Sequence, residues 1–295
     1  MERNICKWLC IAVVVVLIAA SASYLVTANA TPVKVYEGPK IVFDSKGTEK
    51  GKPAPPPSNP PDPSVDKWAV VIGISDYQGG ANDLKYCDDD AVDMYNYLLS
   101  RGFPKGNIKL LLNGAATASA IMSAINWENS WEGPSSEVVF FYSGHGSTKD
   151  GYNDGDSEYT DEAIVSSDLY LILDGQLRQK FSTFSSQKIS FIFDSCFSGG
   201  MDDLIGAWTD TTIIDRVVVA ACGEDQYSYD GTTKQKNGVF TYYYVGTPTA
   251  GLQTYNTAEG AFAYAAPLAH NSALQRYRAQ MDPQMYDQYT GHWTF

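Results

Sequence analysis

EVVFFYSGHG, residues 137–146, and ISFIFDSCFSGG, residues 189–200, share one design: an unbroken apolar run followed at once by a glycine-rich turn that carries a chemically active side chain. A continuous apolar run of this length suits a strand covered on both faces, as in the parallel sheets of α/β proteins. Three further runs read the same way: WAVVIGI at 68–74, IKLLL at 108–112 and RVVVAA at 216–221. Between the first two, Ala91, Met94, Tyr95, Leu98 and Leu99 recur at helical spacing behind the acidic triplet Asp88 to Asp90, which predicts an amphipathic helix ending near Gly102. A second helix is expected from Thr117 as N-cap, presenting Ile121, Ala124 and Ile125. Strands alternating with helices predict an α/β domain with a mostly parallel sheet between helical layers. In such sheets, chemistry collects at the carboxyl ends of the strands, where His145 and Cys196 both fall.

A parallel sheet would set those two turns side by side. Glycines there let the backbone turn sharply and leave amide N–H groups accessible, as a developing oxyanion requires. A cysteine and a histidine brought together can divide the work of acyl transfer, the thiolate attacking and the imidazole protonating the leaving amine. Singly, a histidine or a cysteine after a strand is an ordinary structural residue. Their shared context makes His145 and Cys196 a candidate nucleophilic dyad. His270 and His292 lack such context and are expected to be surface or packing residues.

Composition narrows the class. The chain has 295 residues, 44% hydrophobic, with a formal net charge of −13, and so can bury a real core. Residues 66–295 hold 14 Lys and Arg against 29 Asp and Glu, a net of −15, which argues against a nucleic-acid partner and favours the approach of cationic peptides or metal ions. At the amino end, Arg3 and Lys7 precede an apolar run from Trp8 to Ala20, followed by Ala28-Asn29-Ala30. Residues 1–30 therefore read as an export signal or as an uncleaved membrane anchor, which places the protein outside the cytoplasmic membrane, secreted or tethered to it. Residues 31–65 carry nine of the fourteen prolines and read as a Pro-rich linker, with the folded domain at 66–295. Cys87, Cys196 and Cys222 lie beyond the export segment, an odd number, so at least one thiol is free. Cys87 and Cys222 either pair or pack as small buried hydrophobes.

In chain order, KWAVVIGISDY, YCDDDA, FFYSGHG, DEAIVSSD, FIFDSCFSGG and NGVFTYY resemble the catalytic domain of caspase-like cysteine peptidases, most closely the metacaspase branch. The 51-residue step from His145 to Cys196 agrees with the roughly 50-residue spacing of caspases. The resemblance covers about residues 66–295 and weakens after Tyr244. It implies a caspase-like three-layer sandwich, with a mostly parallel six-stranded sheet between helices and His145 and Cys196 as the dyad. It also implies an oxyanion hole from the backbone N–H groups of Gly146 and Cys196. By motif position it assigns Asp90 and Asp194 to the substrate pocket. Two carboxylates there can give a guanidinium charge-assisted, bidentate hydrogen bonds, so polypeptides cut after Arg or Lys are the expected substrates.

No cofactor is required for that chemistry. Metacaspases often respond to calcium, and Asp161, Asp174 and Asp203 correspond by position to such a site, although Gly175 departs from the usual paired aspartates. The acidic stretch 149–168 is otherwise a solvated loop; it lacks the ligands of an EF-hand. Ala221–Tyr229 and the aromatic Phe240–Tyr244 are further candidates to shape the cleft, the latter more naturally as core. Two other functions stay open: a non-catalytic caspase-like binding module and a calcium-dependent surface protein.

Overall fold

The computed structural model describes residues 34–37, 59–153, 159–205 and 215–295. The export or anchor segment, residues 1–30, lies outside the described residues, and among those described no helix is long and apolar enough to cross a membrane.

In chain order the elements are β1 (Lys34–Val35), β2 (Lys67–Gly73), α1 (Cys87–Ser100), β3 (Ile108–Leu112), α2 (Ala118–Trp131), β4 (Glu137–Ser143), β5 (Gly146–Asp150), β6 (Thr160–Val165) and β7 (Tyr170–Leu173). They continue as α3 (Asp174–Phe181), β8 (Ile189–Asp194), β9 (Arg216–Ala220), α4 (Val239–Tyr244), α5 (Gly251–Tyr255), α6 (Ala258–Tyr277) and β10 (Gln284–Asp287). The five apolar runs, joined at one edge by β10, form a six-stranded sheet in the order β10-β9-β8-β4-β2-β3, with all pairs parallel except the antiparallel β10–β9 edge.

Alternate residues of these strands enter separate cores, as the two-residue period of a strand requires. Val70, Ile72, Phe140, Tyr142, Phe191 and Phe193 face α2 and α3, with Ile121, Ile125, Leu177 and Phe181. Ala69, Val71, Val139, Phe141, Ile192 and Val219 face α1 and α4 to α6, with Met94, Leu98, Phe240 and Leu252. The result is a three-layer sandwich. As expected, α2 starts at Thr117, whose hydroxyl accepts from the Ala120 N–H at 3.2 Å, and the chain leaves α1 through Gly102 at φ +87°.

Register settles where the active turns lie. Ser143, at the end of β4, stands opposite Gly73 on one side and Asp194 on the other. The turns following β4 and β8 are therefore direct neighbours at one sheet edge, with the start of α1 beside them.

Two features differ from the sequence reading, and a third decides between alternatives it left open. Within the stretch 149–168, residues 149–150 end β5 and residues 160–165 form β6, the two pairing antiparallel in a second sheet of order β1-β7-β6-β5. Asp161 and Glu162 are buried in that pair, which a period-two pattern broken by charged residues conceals. Within the Pro-rich segment, β1 pairs with β7, and Asn107 accepts from the Asp62 N–H (2.7 Å) while its amide donates to the Asp62 and Val65 carbonyls. Finally, Cys87 and Cys222 are both free and buried, so they pack rather than pair.

Candidate active site

At the sheet edge a cleft of about 110 Å³ is lined by His145, Asp194, Ser195, Cys196, Ser143 and Gly144, with Leu84, Cys87, Ser228, Tyr229, Asp230 and Gly238 closing it. His145 and Cys196 thus share one groove, although the sequence separates them. Gly146 accounts for the close fit of the two turns. A Cβ at this position would lie 2.8 Å from the Cys196 carbonyl carbon and 3.2 Å from its nitrogen, and closer still to its oxygen. No residue but glycine fits there.

The histidine turn is held from behind by two buried tyrosines. Tyr77 Oη accepts from the His145 N–H (2.7 Å), and Tyr142 Oη lies 2.7 Å from the His145 carbonyl and 2.8 Å from that of Val165. The Val165 N–H also donates to the His145 carbonyl at 3.0 Å, tying the turn to β6. The imidazole packs on the Tyr77 ring with centroids 4.8 Å apart, and its Nε2 lies 2.7 Å from the Asn82 carbonyl. A carbonyl can only accept, so Nε2 carries the proton and Nδ1 is the basic nitrogen of the neutral ring.

Burial lowers the His145 pKa, opposed by the Asn82 carbonyl and by the charge of Asp230. Burial also pushes the Cys196 thiol up to about 12, offset in small part by a hydrogen bond with the Ser228 backbone, and its Sγ approaches the Ser228 carbonyl at 3.7 Å. At neutral pH without substrate, the pair is accordingly thiol and neutral imidazole, not thiolate and imidazolium.

Beneath the cleft, Asp90 and Asp194 converge below Gly238, where an added Cβ would press on Asp194 Oδ2 and sit 3.0 Å from Asp90 Oδ2. Asp90 accepts from Ser143 Oγ (2.7 Å) and from the Gly238 N–H (2.9 Å). Asp194 accepts from Ser228 Oγ (2.5 Å) and from the Thr241 N–H (2.9 Å) and hydroxyl (2.8 Å). Burial raises both carboxyl pKa values, that of Asp90 well above the ordinary range and further through the charge of Asp194. The two carboxyls are thus buried side by side, each held by hydrogen-bond donors from the surrounding turns.

Several contributors were not evident in the sequence. Asp230 adds a second carboxyl to the lining, beside Asp194, with its pKa raised by burial and its side chain held by the Lys85 N–H. Ser228 and Thr241 orient Asp194, while Tyr77, Tyr142 and Asn82 orient His145; a strand-end hydroxyl or main-chain carbonyl carries no sequence signature. Of the two further stretches, Ala221–Tyr229 does reach the cleft through Ser228 and Tyr229, while Phe240 and Tyr244 are fully buried core. His270 and His292 lie away from the cleft lining, beside Asp282 and Glu259.

The proposed metal ligands fare differently. Asp161 on β6, Asp174 at the start of α3 and Asp203 in the turn Ser198–Ile205 belong to elements that pack together. Among the described residues, however, no three His, Cys, Asp or Glu side chains stand where they could hold a metal ion. Arg178 places a cation 3.6 Å from Asp203, a poor neighbour for a second one.

Residues 66–250 match the caspase-domain model of the C14 peptidases. The chain belongs to that family. It is 26% identical over 225 residues to Metacaspase-1 of Arabidopsis thaliana, covering 64% of this chain and 61% of that protein. It is 31% identical over 156 residues to Metacaspase-3 of the same plant, covering 49% and 43%. This caspase-domain chain thus spans only about two-fifths to three-fifths of the length of these relatives. A solved protein of Geobacter sulfurreducens shares the fold, with a TM-score of 0.53 at 20% identity over 75% of this chain and 92% of that one.

Proposed function

We propose that this caspase-family protein is a cysteine endopeptidase that cleaves polypeptides after Arg or Lys, with Cys196 as nucleophile and His145 as general base and acid. The single observation that carries this reading is the shared cleft: His145 and Cys196 line it together, above two buried carboxyls with no Lys or Arg in the lining.

In this reading the substrate's basic side chain descends onto Asp194 and Asp90, and its charge offsets the unfavourable burial of theirs. The scissile carbonyl then rests against Cys196. As Sγ attacks, its proton passes to Nδ1 of His145, and the oxyanion takes hydrogen bonds from the Gly146 and Cys196 N–H groups. The imidazolium returns the proton to the leaving amine, giving a thioester that water hydrolyses with His145 as base. The high thiol pKa means that the thiolate forms only in concert with attack, so the imidazole is needed in the first step as well as the last. Residues 1–30 would deliver the domain outside the cytoplasmic membrane, either released or held by an uncleaved anchor.

The test is to incubate the full chain with fluorogenic Arg, Lys and Asp peptides, with and without calcium, beside Cys196→Ala. Turnover of the Arg and Lys peptides by wild type alone is expected. No turnover of any peptide favours a binding module, and preference for the Asp peptide overturns the roles given to Asp90 and Asp194.

A further inference from the structure

Outside the cleft, one hydrogen-bonded assembly fastens the nucleophile turn to the carboxyl-terminal part of the chain. Cys196 is followed by Phe197, whose backbone stands at φ +61°, a left-handed conformation that a bulky side chain keeps only when its neighbours hold it. The Phe197 N–H donates to the Gln226 carbonyl at 2.8 Å, and Cys222 Sγ approaches the same oxygen at 3.3 Å. The Gln226 side chain is engaged at both ends. Its Oε1 accepts from the Gly223 N–H (3.1 Å) and the Asp282 N–H (2.7 Å), while its Nε2 donates to Asp282 Oδ2 (2.8 Å). The other oxygen of Asp282 lies 2.7 Å from His270 Nδ1, so the chain of contacts runs from α6 to the residue after the nucleophile.

We propose that Gln226 and Asp282 are positioning residues for acyl transfer: they lock the turn against which Phe197 is seated and so hold the Cys196 amide where the oxyanion forms. This rests on the peptidase reading above. An oxyanion donor works because it is fixed before charge develops, and a main-chain amide in a turn is only as fixed as the turn. Here the restraint comes from residues 56 positions apart, through one amide that reads both the main chain and the carboxylate of Asp282. Neither residue lines the cleft and neither is fully buried, so substrate contact and core filling do not explain the arrangement.

The test measures kcat and KM for an arginyl peptide, and separately the rate at which iodoacetamide alkylates Cys196, in the full chain. In that displacement sulfur bonds to the methylene carbon as iodide leaves, and no oxyanion forms. Gln226→Ala and Asp282→Ala should lower kcat by about 10- to 100-fold, as misplacement of a reacting group does, while KM and alkylation stay within about threefold. Gln226→Glu sets two carboxylates face to face and should be equally impaired. The double variant Gln226→Glu/Asp282→Asn restores a donor opposite an acceptor and should recover kcat to within about fivefold of wild type.

Variants with wild-type kcat overturn this inference alone. Parallel loss of turnover, alkylation and thermal midpoint, without rescue by the double variant, shows a merely structural role and also overturns it. A wild-type chain without turnover overturns the peptidase reading, and this inference with it.

Discussion

Gly146→Ala probes the juncture on which the proposed chemistry depends. The added methyl would meet the Cys196 carbonyl carbon at 2.8 Å, where ordinary contact begins near 3.4 Å, so the two turns must part by at least about 0.6 Å there and by more at the oxygen. Neither side can yield by rotating a side chain, because both atoms in conflict are tied to main chain. The turn of His145 is held by Tyr77, Tyr142 and Val165, and that of Cys196 by Gln226. Overpacking of this kind costs roughly 1–3 kcal/mol of stability, which a domain with two cores can tolerate. Catalysis should suffer more: a displacement approaching 1 Å between reacting groups costs on the order of 100-fold in rate. The assay is kcat/KM on an arginyl peptide beside a thermal melt. A loss of about 100-fold with a midpoint lowered by only a few degrees is expected. Activity within about threefold of wild type would show that the two turns do not act together, since groups separated by that methyl could not then be doing so.

Three further outcomes follow from the buried charges. Asp194→Asn removes a charge-assisted hydrogen bond to the basic substrate residue and should lower kcat/KM for Arg peptides by about 10- to 100-fold, chiefly through KM, with little effect on iodoacetamide alkylation of Cys196. Asp90 carries a raised pKa because burial and Asp194 disfavour its ionised form. Its contribution to stability is therefore full below the unfolded-state value near 4 and is lost as pH rises through the folded-state value. Asp90→Asn should flatten the fall in thermal midpoint between pH 4 and pH 7, and an unchanged slope would count against the burial of that charge. The Cys196 thiol, pushed up to about 12, should react with iodoacetamide at a rate still climbing between pH 7 and pH 10. A plateau below pH 7 would instead reveal a preformed thiolate–imidazolium pair.

The parts of the molecule that could be read in advance are those in which one residue type answers one physical demand. Strands covered on both faces must be apolar throughout, so β2, β3, β4, β8 and β9 stand out as unbroken runs, and the glycine-bounded His145 and Cys196 mark two of their ends. Asp90 could be mistaken for an ordinary charge in the first turn of α1; only its contacts with Ser143 and Gly238 separate the two roles. The hairpin β5–β6 was hidden because its strands carry Lys149, Asp161 and Glu162, charges that depress any hydrophobic period. Contributors that act through main chain, such as the Asn82 and Gln226 carbonyls, leave no trace in side-chain chemistry at all. Asp230 is acidic but isolated in sequence, and only the fold of the 222–230 turn brings it to the lining.

The most direct measurement is covalent trapping of the full chain with an arginyl peptide bearing an acyloxymethyl ketone, followed by mass mapping of the adduct. One peptide per chain is expected, attached at Cys196, formed far more slowly by Asp194→Asn and absent from Cys196→Ala. An adduct on Cys87 or Cys222, or none at all on a folded wild-type chain, would contradict the role given to Cys196.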